Sequence, residues 1–428
     1  MRVLVLNPGS SSLKSSVIET ATIAWPAADG IAATADGVAR VTSGPESGGA
    51  RLVASGPESG GARLVASAES LAPLAEIDVD WGPDATEDGD AADDMRALVA
   101  KYEAAGISPD SLGAVGYRVV HGGTLFRHPV LVTPQVIAQV TALRDLAPLH
   151  NGVAAVAMAT GLAAMPHIPH VAVFDTAFHA TLPEEAYRYP VPDQWYREWG
   201  IRRYGFHGMS VEWSAERAAT LLGRPFGQLR TVVAHLGSGC SVTAVDGGRS
   251  VATSMGLTPL EGLMMGTRAG SIDPGVLFYL LRTGRLDADE LAEQLGHKSG
   301  LLGVSGRTSD VRELLRAEAG GDGPATLALN LFTRRAAECI ASAATALTAL
   351  DAIVFTGGIG ENAAGLRARI VGRLSVLGVA PIDAAAVVED AILSAPGAAA
   401  NSPAILRIQA REDLIVAREA ARLVAASE

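Results

Sequence analysis

The chain is short of cysteine, of aromatic residues and of basic charge, and each shortage removes a class of protein. Only Cys240 and Cys339 occur in 428 residues, far apart and outside any metal-ligand spacing. That excludes a disulfide framework and is the pattern of a reducing compartment. Lys and Arg number 34 against 46 Asp and Glu, a formal net charge of -12. Broad nucleic-acid or anionic-membrane binding needs basic surface, so neither is expected. Any anionic ligand must therefore be held locally. The most apolar late stretch, Ala336 to Leu350, is too short and too rich in Ser and Thr to span a bilayer, and it carries a Glu. No basic region followed by an apolar signal core stands at the N-terminus, so a cytoplasmic protein without a membrane partner is expected.

What is present is a compact composition, 48% hydrophobic and 19% charged, in a length that favours two or three domains. Its opening organises the rest. Met1 to Leu6 is an apolar run with β-branched members that reads as a buried strand, and Asn7-Pro8-Gly9-Ser10-Ser11-Ser12 stops it with turn residues. Pro8 cannot donate to a ladder, Gly9 lets backbone approach a ligand, and the serines with Lys14 supply donors and one positive charge. Such a set suits phosphate, and it also suits an ordinary serine-rich hairpin turn.

Support comes from repetition. Arg230 to His235 reads as another strand, followed by Leu236-Gly237-Ser238-Gly239-Cys240-Ser241 and a hairpin through Asp246-Gly247. A strand, a Gly/Ser turn and a hairpin thus occur twice, which points to two similar halves with a nucleotide between them. A third glycine turn, Gly357 to Asn362, follows the strand Ala352 to Thr356, where small residues let an adenine or ribose lie against backbone.

Between these turns stand charged exceptions. Arg118 lies in the strand Leu112 to Val120, which stops at His121-Gly122-Gly123; a buried guanidinium needs an anionic partner, either a structural carboxylate or a ligand. Asp175 closes the strand Val171 to Phe174, at the end where open α/β sheets bind ligands. His207 sits between two glycines before a helix from Val211 to Leu222. Thr253 to Gly275 is too rich in glycine for a helix and too apolar for a surface loop, so it should be a buried functional loop with Arg268 and Asp273 inside it. Later helices are expected near 276–283, 288–295, 310–319 and 325–348, then a strand 405–410 and a closing helix 414–425. Residues Ser43 to Ala54 recur identically as Ser55 to Ala66; two identical units are a duplicated loop or hairpin rather than a solenoid.

The stretches NPGSSSLK, RVVHGG, LAPLHN, VFDTAFH, RRYGFHG, HLGSG, TSMGLTPLEGLMMGTRAGSIDPG, FTGGIGEN and REDLIVA, in this order, resemble the motifs of the acetate kinase family, within the acetate and sugar kinase, heat-shock-protein-70 and actin superfamily. The resemblance implies an α/β fold of two actin-like domains, each on a ribonuclease-H-like βββαβαβα core, with an interdomain active-site cleft. The domains are expected at 1–176 and 177–413, with the closing helix near 414–428 returning to the first and the duplicated segment 43–66 as a surface loop within it. It further implies ATP/ADP, acetate or another short-chain carboxylate, and Mg²⁺ with Mn²⁺ as the substitute, in a homodimer.

Carried over by motif, Asn7 and Glu412 resemble the metal site. Asp175, His207 and Arg268 resemble the catalytic set, and Arg118 the carboxylate-binding arginine. Val120, Leu149, His150, Phe206 and Pro259 match the acid-binding positions. Lys14, His235, Leu236, Gly237, Ser238, Gly239, Asp310, Val311, Arg312, Gly358, Ile359, Gly360, Glu361 and Asn362 match nucleotide-binding ones. In-line transfer to a carboxylate is mainly positioning and charge neutralisation, here expected from Arg, protonated His and Mg²⁺. Acetate is already ionised near pH 7 and needs no general base, so Asp175 is read either as the family's acid/base residue or as an orienting group. The chain departs from the family at Ser238, Ala252 and Ser271, where Asn, Asp and Asp are usual. Those changes bear on phosphate affinity and acyl preference. The alternatives are a propionate kinase of the same family, an actin-like ATPase and a sugar kinase; the last would need a polar sugar site where this chain has Val, Leu, Phe and Pro.

Overall fold

The computed structural model describes residues 1–9, 12–20, 63–64, 72–80, 88–147, 150–395 and 402–427. Leu149 and most of the duplicated segment lie outside them. Among the described residues the strands begin with β1 (Arg2–Pro8), β2 (Ser12–Glu19), β3 (Arg63–Leu64), β4 (Ala75–Asp80), β5 (Ala114–Val119), β6 (Val130–Leu131) and β7 (His170–Phe174). They continue with β8 (Arg230–Leu236), β9 (Cys240–Asp246), β10 (Arg249–Thr253), β11 (Ala352–Thr356), β12 (Ala391–Ile392) and β13 (Ala404–Arg407).

Two sheets result. The first has the order β4-β2-β1-β5-β7-β6 and the second β10-β9-β8-β11-β13-β12-β3. In each, an antiparallel hairpin (β1 with β2, β8 with β9) is extended by two parallel strands, β5 and β7 in the first and β11 and β13 in the second. Parallel strands are buried on both faces, which is why β1 and β8 read as continuous apolar runs rather than alternating ones. Val3 and Val5 of β1 face a core shared with Ile415 and Val416, whereas Leu4 and Leu6 face the outer helices Asp88–Ala104 and Asn151–Ala164 through Met95, Leu98 and Met158. In the second sheet Val233 and Val354 join the shared core, and Val232, Ile353 and Phe355 face the long helix Gly323–Ala344.

The helices Gly208–Leu222 and Glu412–Ala425 form the middle layer between the sheets. They are joined by Arg418, whose Nη1 donates to both carboxylate oxygens of Glu216 at 2.9 and 2.7 Å with both side chains 3% exposed. Trp213 adds a bond from its indole N–H to the Gln409 carbonyl at 2.9 Å. The close fit of Glu412–Ala425 on the first sheet requires glycine at position 116, since a Cβ there would stand 2.7 Å from Val416 Cγ1. Residues 254 to 273 contain no regular helix or strand and hold Met255, Leu263, Met264 and Met265 in the core, matching a buried loop. Asp273 has a structural job, capping the helix Pro274–Arg282 by accepting from the Gly275 N–H at 2.9 Å.

Some boundaries differ from expectation. The glycine turn after β11 is a short helix, Gly357–Asn362, because Gly357 at φ +76° turns the chain directly into helical geometry. Glu412, which falls between the expected strand 405–410 and closing helix 414–425, is the first residue of the last helix. Among the described residues no helix is long and apolar enough to cross a membrane.

Candidate active site

The ends of β5, β7 and β8 open on one cleft, and each delivers a different group. Arg118, near the end of β5, forms a two-point pair with Asp175 just beyond β7: Nε donates to Oδ1 at 3.0 Å and Nη2 to Oδ2 at 2.8 Å. Nη2 also lies 3.6 Å from Glu412 Oε1. Burial raises the Asp175 pKa above the usual carboxylate range, and the Arg118 charge and a bond from the His207 N–H offset only part of that. Glu412 goes the other way: burial would raise it, but the charges of Arg118, His235 and Lys14 hold it below the ordinary value.

Across the cleft, His207 is the only non-glycine residue with positive φ among those described, at 57°. The left-handed turn lets the helix Gly208–Leu222 start at once, and Gly208 seats against the first sheet by donating to the Asp175 carbonyl at 3.0 Å. A Cβ on Gly208 would fall 2.1 Å from that oxygen. The His207 ring stacks on His235 with centroids 4.1 Å apart, and its Nδ1 meets Ser241 Oγ at 3.0 Å. His235 in turn meets Ser210 Oγ through Nδ1 at 2.8 Å. With Nδ1 engaged by a hydroxyl, His207 Nε2 faces the β8–β9 turn, 3.2 Å from where a Gly239 Cβ would lie. Burial, with His235, Arg118 and Arg268 nearby, lowers the His207 pKa well below 6.5. Burial and the neighbouring cations thus work against the protonated histidine expected from sequence. The positive charge comes from the arginines.

Arg268 arrives from the buried loop and stands 3.6 Å, through Nη1, from the same Gly239 Cβ position. Its bond is to the Pro259 carbonyl at 3.1 Å; among the described residues no carboxylate lies within ion-pair distance of it, and burial lowers its pKa. His150, beside Arg268 and Arg118, is pushed down to about 4, chiefly by burial. Asn7 lies opposite Lys14 in the β1–β2 ladder, and Lys14 is exposed. Val120 and Phe206 pack into the second core, and Pro259 flanks Arg268.

The expected nucleotide segments divide. Gly237, Ser238 and Gly239 form the β8–β9 turn, Gly358 lies beside it with nothing within 4 Å of its Cβ position, and Asn362 is exposed. Ser309, next to Asp310, stands near Gly266 and the Ser238 carbonyl. Asp310 caps the helix Val311–Ala319 and pairs with the 85% exposed Arg312. Leu236 and Gly360 face inward, Ile359 is half-buried, and the Glu361 carboxylate turns away to accept from the Ala410 N–H at 2.9 Å and from Arg407 Nη2 at 3.2 Å. Sequence reasoning missed Ser210, Ser241 and the contacts of His121. Ser241 was within reach, because it pairs with His235 in the β8–β9 hairpin that turns at Gly237–Gly239.

Two like sheets around a shared helix layer, opening on a cationic cleft, make the actin-like fold of ATP-dependent phosphotransferases. The comparisons narrow the class: the family model "Acetokinase family" matches residues 77–418, and the chain belongs to that family. The acetate kinase of Deinococcus radiodurans is 51% identical over 315 residues, 73% of this chain and 78% of its own. That of Geobacillus sp. WCH70 is 44% identical over 334 residues, 77% and 83% of the two chains. Among solved structures, a propionate kinase from Francisella tularensis superposes with a TM-score of 0.78 at 33% identity, covering 98% of this chain and 99% of that one. The Porphyromonas gingivalis acetate kinase gives 0.78 at 30% identity and 99% coverage of both.

Proposed function

We propose that this protein transfers the γ-phosphoryl group of ATP to acetate, giving acetyl phosphate and ADP, and runs the reverse reaction. The observation that carries this is Arg268: a largely buried guanidinium without a carboxylate partner among the described residues, aimed with His207 at a glycine turn. A transferring phosphoryl group supplies the missing negative charge.

An acetate oxygen attacks the γ-phosphorus, the bond to the β–γ bridging oxygen breaks, and ADP leaves with the electron pair. Arg118 binds the acetate carboxylate by its planar fork, and Asp175 fixes that fork through the two-point pair. Asp175 is therefore an orienting group, since the acid is ionised and has no proton to give up. His207 Nε2–H and Arg268 bond the equatorial oxygens as charge spreads over them. Val120, Phe206 and Pro259 enclose the methyl group. The Gly237–Gly239 turn, Gly358, Asn362, Lys14 and the Asp310–Arg312 helix start hold the nucleotide.

The donors fit a divalent cation: Glu412 is kept ionised, and Mg²⁺ takes one or two protein ligands with water and phosphate completing its shell. Asn7 and Glu412 would hold it. When bound it neutralises the β- and γ-phosphate oxygens.

A homodimer is supported by an exposed apolar face on and beside the helix Pro274–Arg282, where Phe278 is 58% and Tyr279 54% exposed beside Ile272, Val276 and Leu281. The two free thiols accord with a cytoplasmic location.

Hydroxylamine trapping of acyl phosphate with ATP and Mg²⁺ tests the reading, with acetate, propionate and butyrate as acceptors beside Arg118→Ala. Turnover of acetate that collapses in the variant supports it. Acceptor-independent ATP hydrolysis, with no acyl phosphate, refutes it.

A further inference from the structure

His121 is fully buried, and every polar atom it owns is engaged. Its Nδ1 accepts from the Gly123 N–H at 2.9 Å, which leaves the ring proton on Nε2, and Nε2 donates to the Leu257 carbonyl at 3.2 Å. Its backbone N–H donates to Asn151 Oδ1 at 3.1 Å and its carbonyl accepts from Asn151 Nδ2 at 2.9 Å. The ring meets Tyr204 edge-on at 4.7 Å and Phe206 at 5.3 Å.

These contacts tie four segments together. Val120 precedes His121 on the strand end, His150 precedes Asn151, Phe206 lies against the ring, and Pro259 follows Leu257 by two residues. The loop bearing Leu257 is pinned from its own half: Arg203 Nη1 donates to the Ser254 and Met255 carbonyls at 2.8 and 3.0 Å, and the Leu257 N–H donates to the Tyr189 hydroxyl at 3.0 Å. The His121 ring bonds that loop to the strand end of the first sheet.

Resting on the function proposed above, we infer that His121 is a positioning residue that sets the width of the acyl pocket, by fixing the Val120 wall against the Phe206–Pro259 wall. It touches neither substrate nor phosphate and acts through those three side chains. A pocket whose walls are held at one spacing distinguishes acids by a methylene, a discrimination of about 10- to 200-fold. Loosening the spacing lets the longer acid in.

The test measures kcat and KM for acetate, propionate, butyrate and ATP by hydroxamate formation in the wild type, His121→Ala, His121→Gln and His121→Asn. In His121→Ala the acetate KM rises about tenfold or more, the propionate-to-acetate ratio of kcat/KM rises several-fold, and the KM for ATP stays within about twofold. Gln, which can offer an N–H towards Leu257, recovers part of the acid selectivity; Asn, too short to reach it, does not. The two amide variants keep the test decisive if the alanine chain fails to fold. An unchanged propionate-to-acetate ratio in all three, or acid and ATP KM rising together, overturns the inference while leaving the kinase reading intact. A wild type that makes no acyl phosphate from any acid overturns both.

Discussion

The two sheets share a topology but treat charge in opposite ways. At the strand ends of the first, Arg118 is matched by Asp175 and approached by Glu412, so the cation there is balanced before any ligand arrives. At the turn of the second, burial and nearby cations push the His207 pKa down and Arg268 rests on a carbonyl, so among the described residues the positive charge there has no carboxylate to balance it. The same backbone plan thus yields one half whose arginine is paired and another whose arginine is not, which is the division of labour the proposed phosphoryl transfer would need. Charge compensation, rather than strand order, separates their roles.

That contrast can be broken by truncating each arginine. Arg268→Ala should lose roughly three orders of magnitude in kcat or more, as removal of a transition-state arginine does, and Arg118→Ala should lose a comparable factor in kcat/KM for acetate. Their stabilities should diverge. Arg118→Ala strands a buried Asp175 and should cost about 3–5 kcal/mol in urea unfolding, whereas Arg268→Ala leaves no carboxylate unpaired and should cost under about 1 kcal/mol. Equal losses of stability would erase the distinction.

A smaller effect probes the seam between the halves. Gly208→Ala places a Cβ 2.1 Å from the Asp175 carbonyl oxygen, so backbone must move. Destabilisation of about 3 kcal/mol is expected, with a fall in kcat larger than any change in the KM for ATP. An alanine variant with native melting temperature and rate would show that His207 is not held from this side.

Acid should act through buried histidines. His179 bonds Ser250 Oγ and the Phe206 carbonyl, and burial pushes its pKa down to about 4 from 6.5. The unfolded chain therefore takes up a proton first, and the stability His179 gives is complete above pH 6.5 and lost as pH falls towards 4. The cost of His179→Gln in urea unfolding should be about 2 kcal/mol smaller at pH 5 than at pH 7. A cost independent of pH would mean the ring is solvated. Least of all, Arg312→Ala should change stability by under about 0.5 kcal/mol, because its pair with Asp310 is exposed, while raising the KM for ATP and not for acetate.

Much of this frame was legible because buried parallel strands leave unbroken apolar runs that stop at glycine turns; β1, β8 and β11 each announced both a strand and a site. Specific motifs carried the named residues, including Arg118, Asp175, His207 and Arg268, to a single cleft. The two-residue strands β6 and β12 are too short to carry a pattern. The helix Pro134–Ala142 had a signal that went unread, Thr133 as cap with proline in its first turn. The stacking of His207 on His235 and the inward turn of Glu361 depend on partners remote in sequence, which neither periodicity nor propensity encodes. The His121 contacts are of that kind too, with Leu257 lying 136 residues away.

The helix Glu412–Ala425 has a consequence in time. It packs on β1, β5 and β7, yet more than half the chain separates those strands from it. A ribosome adding about 5–20 residues per second takes on the order of tens of seconds to go from β7 to that helix. Through that interval the valines of β1 and β7 lack the cover that Ile415 and Val416 give their inner face. A slow codon placed late in the message would lengthen that exposure without altering the finished protein.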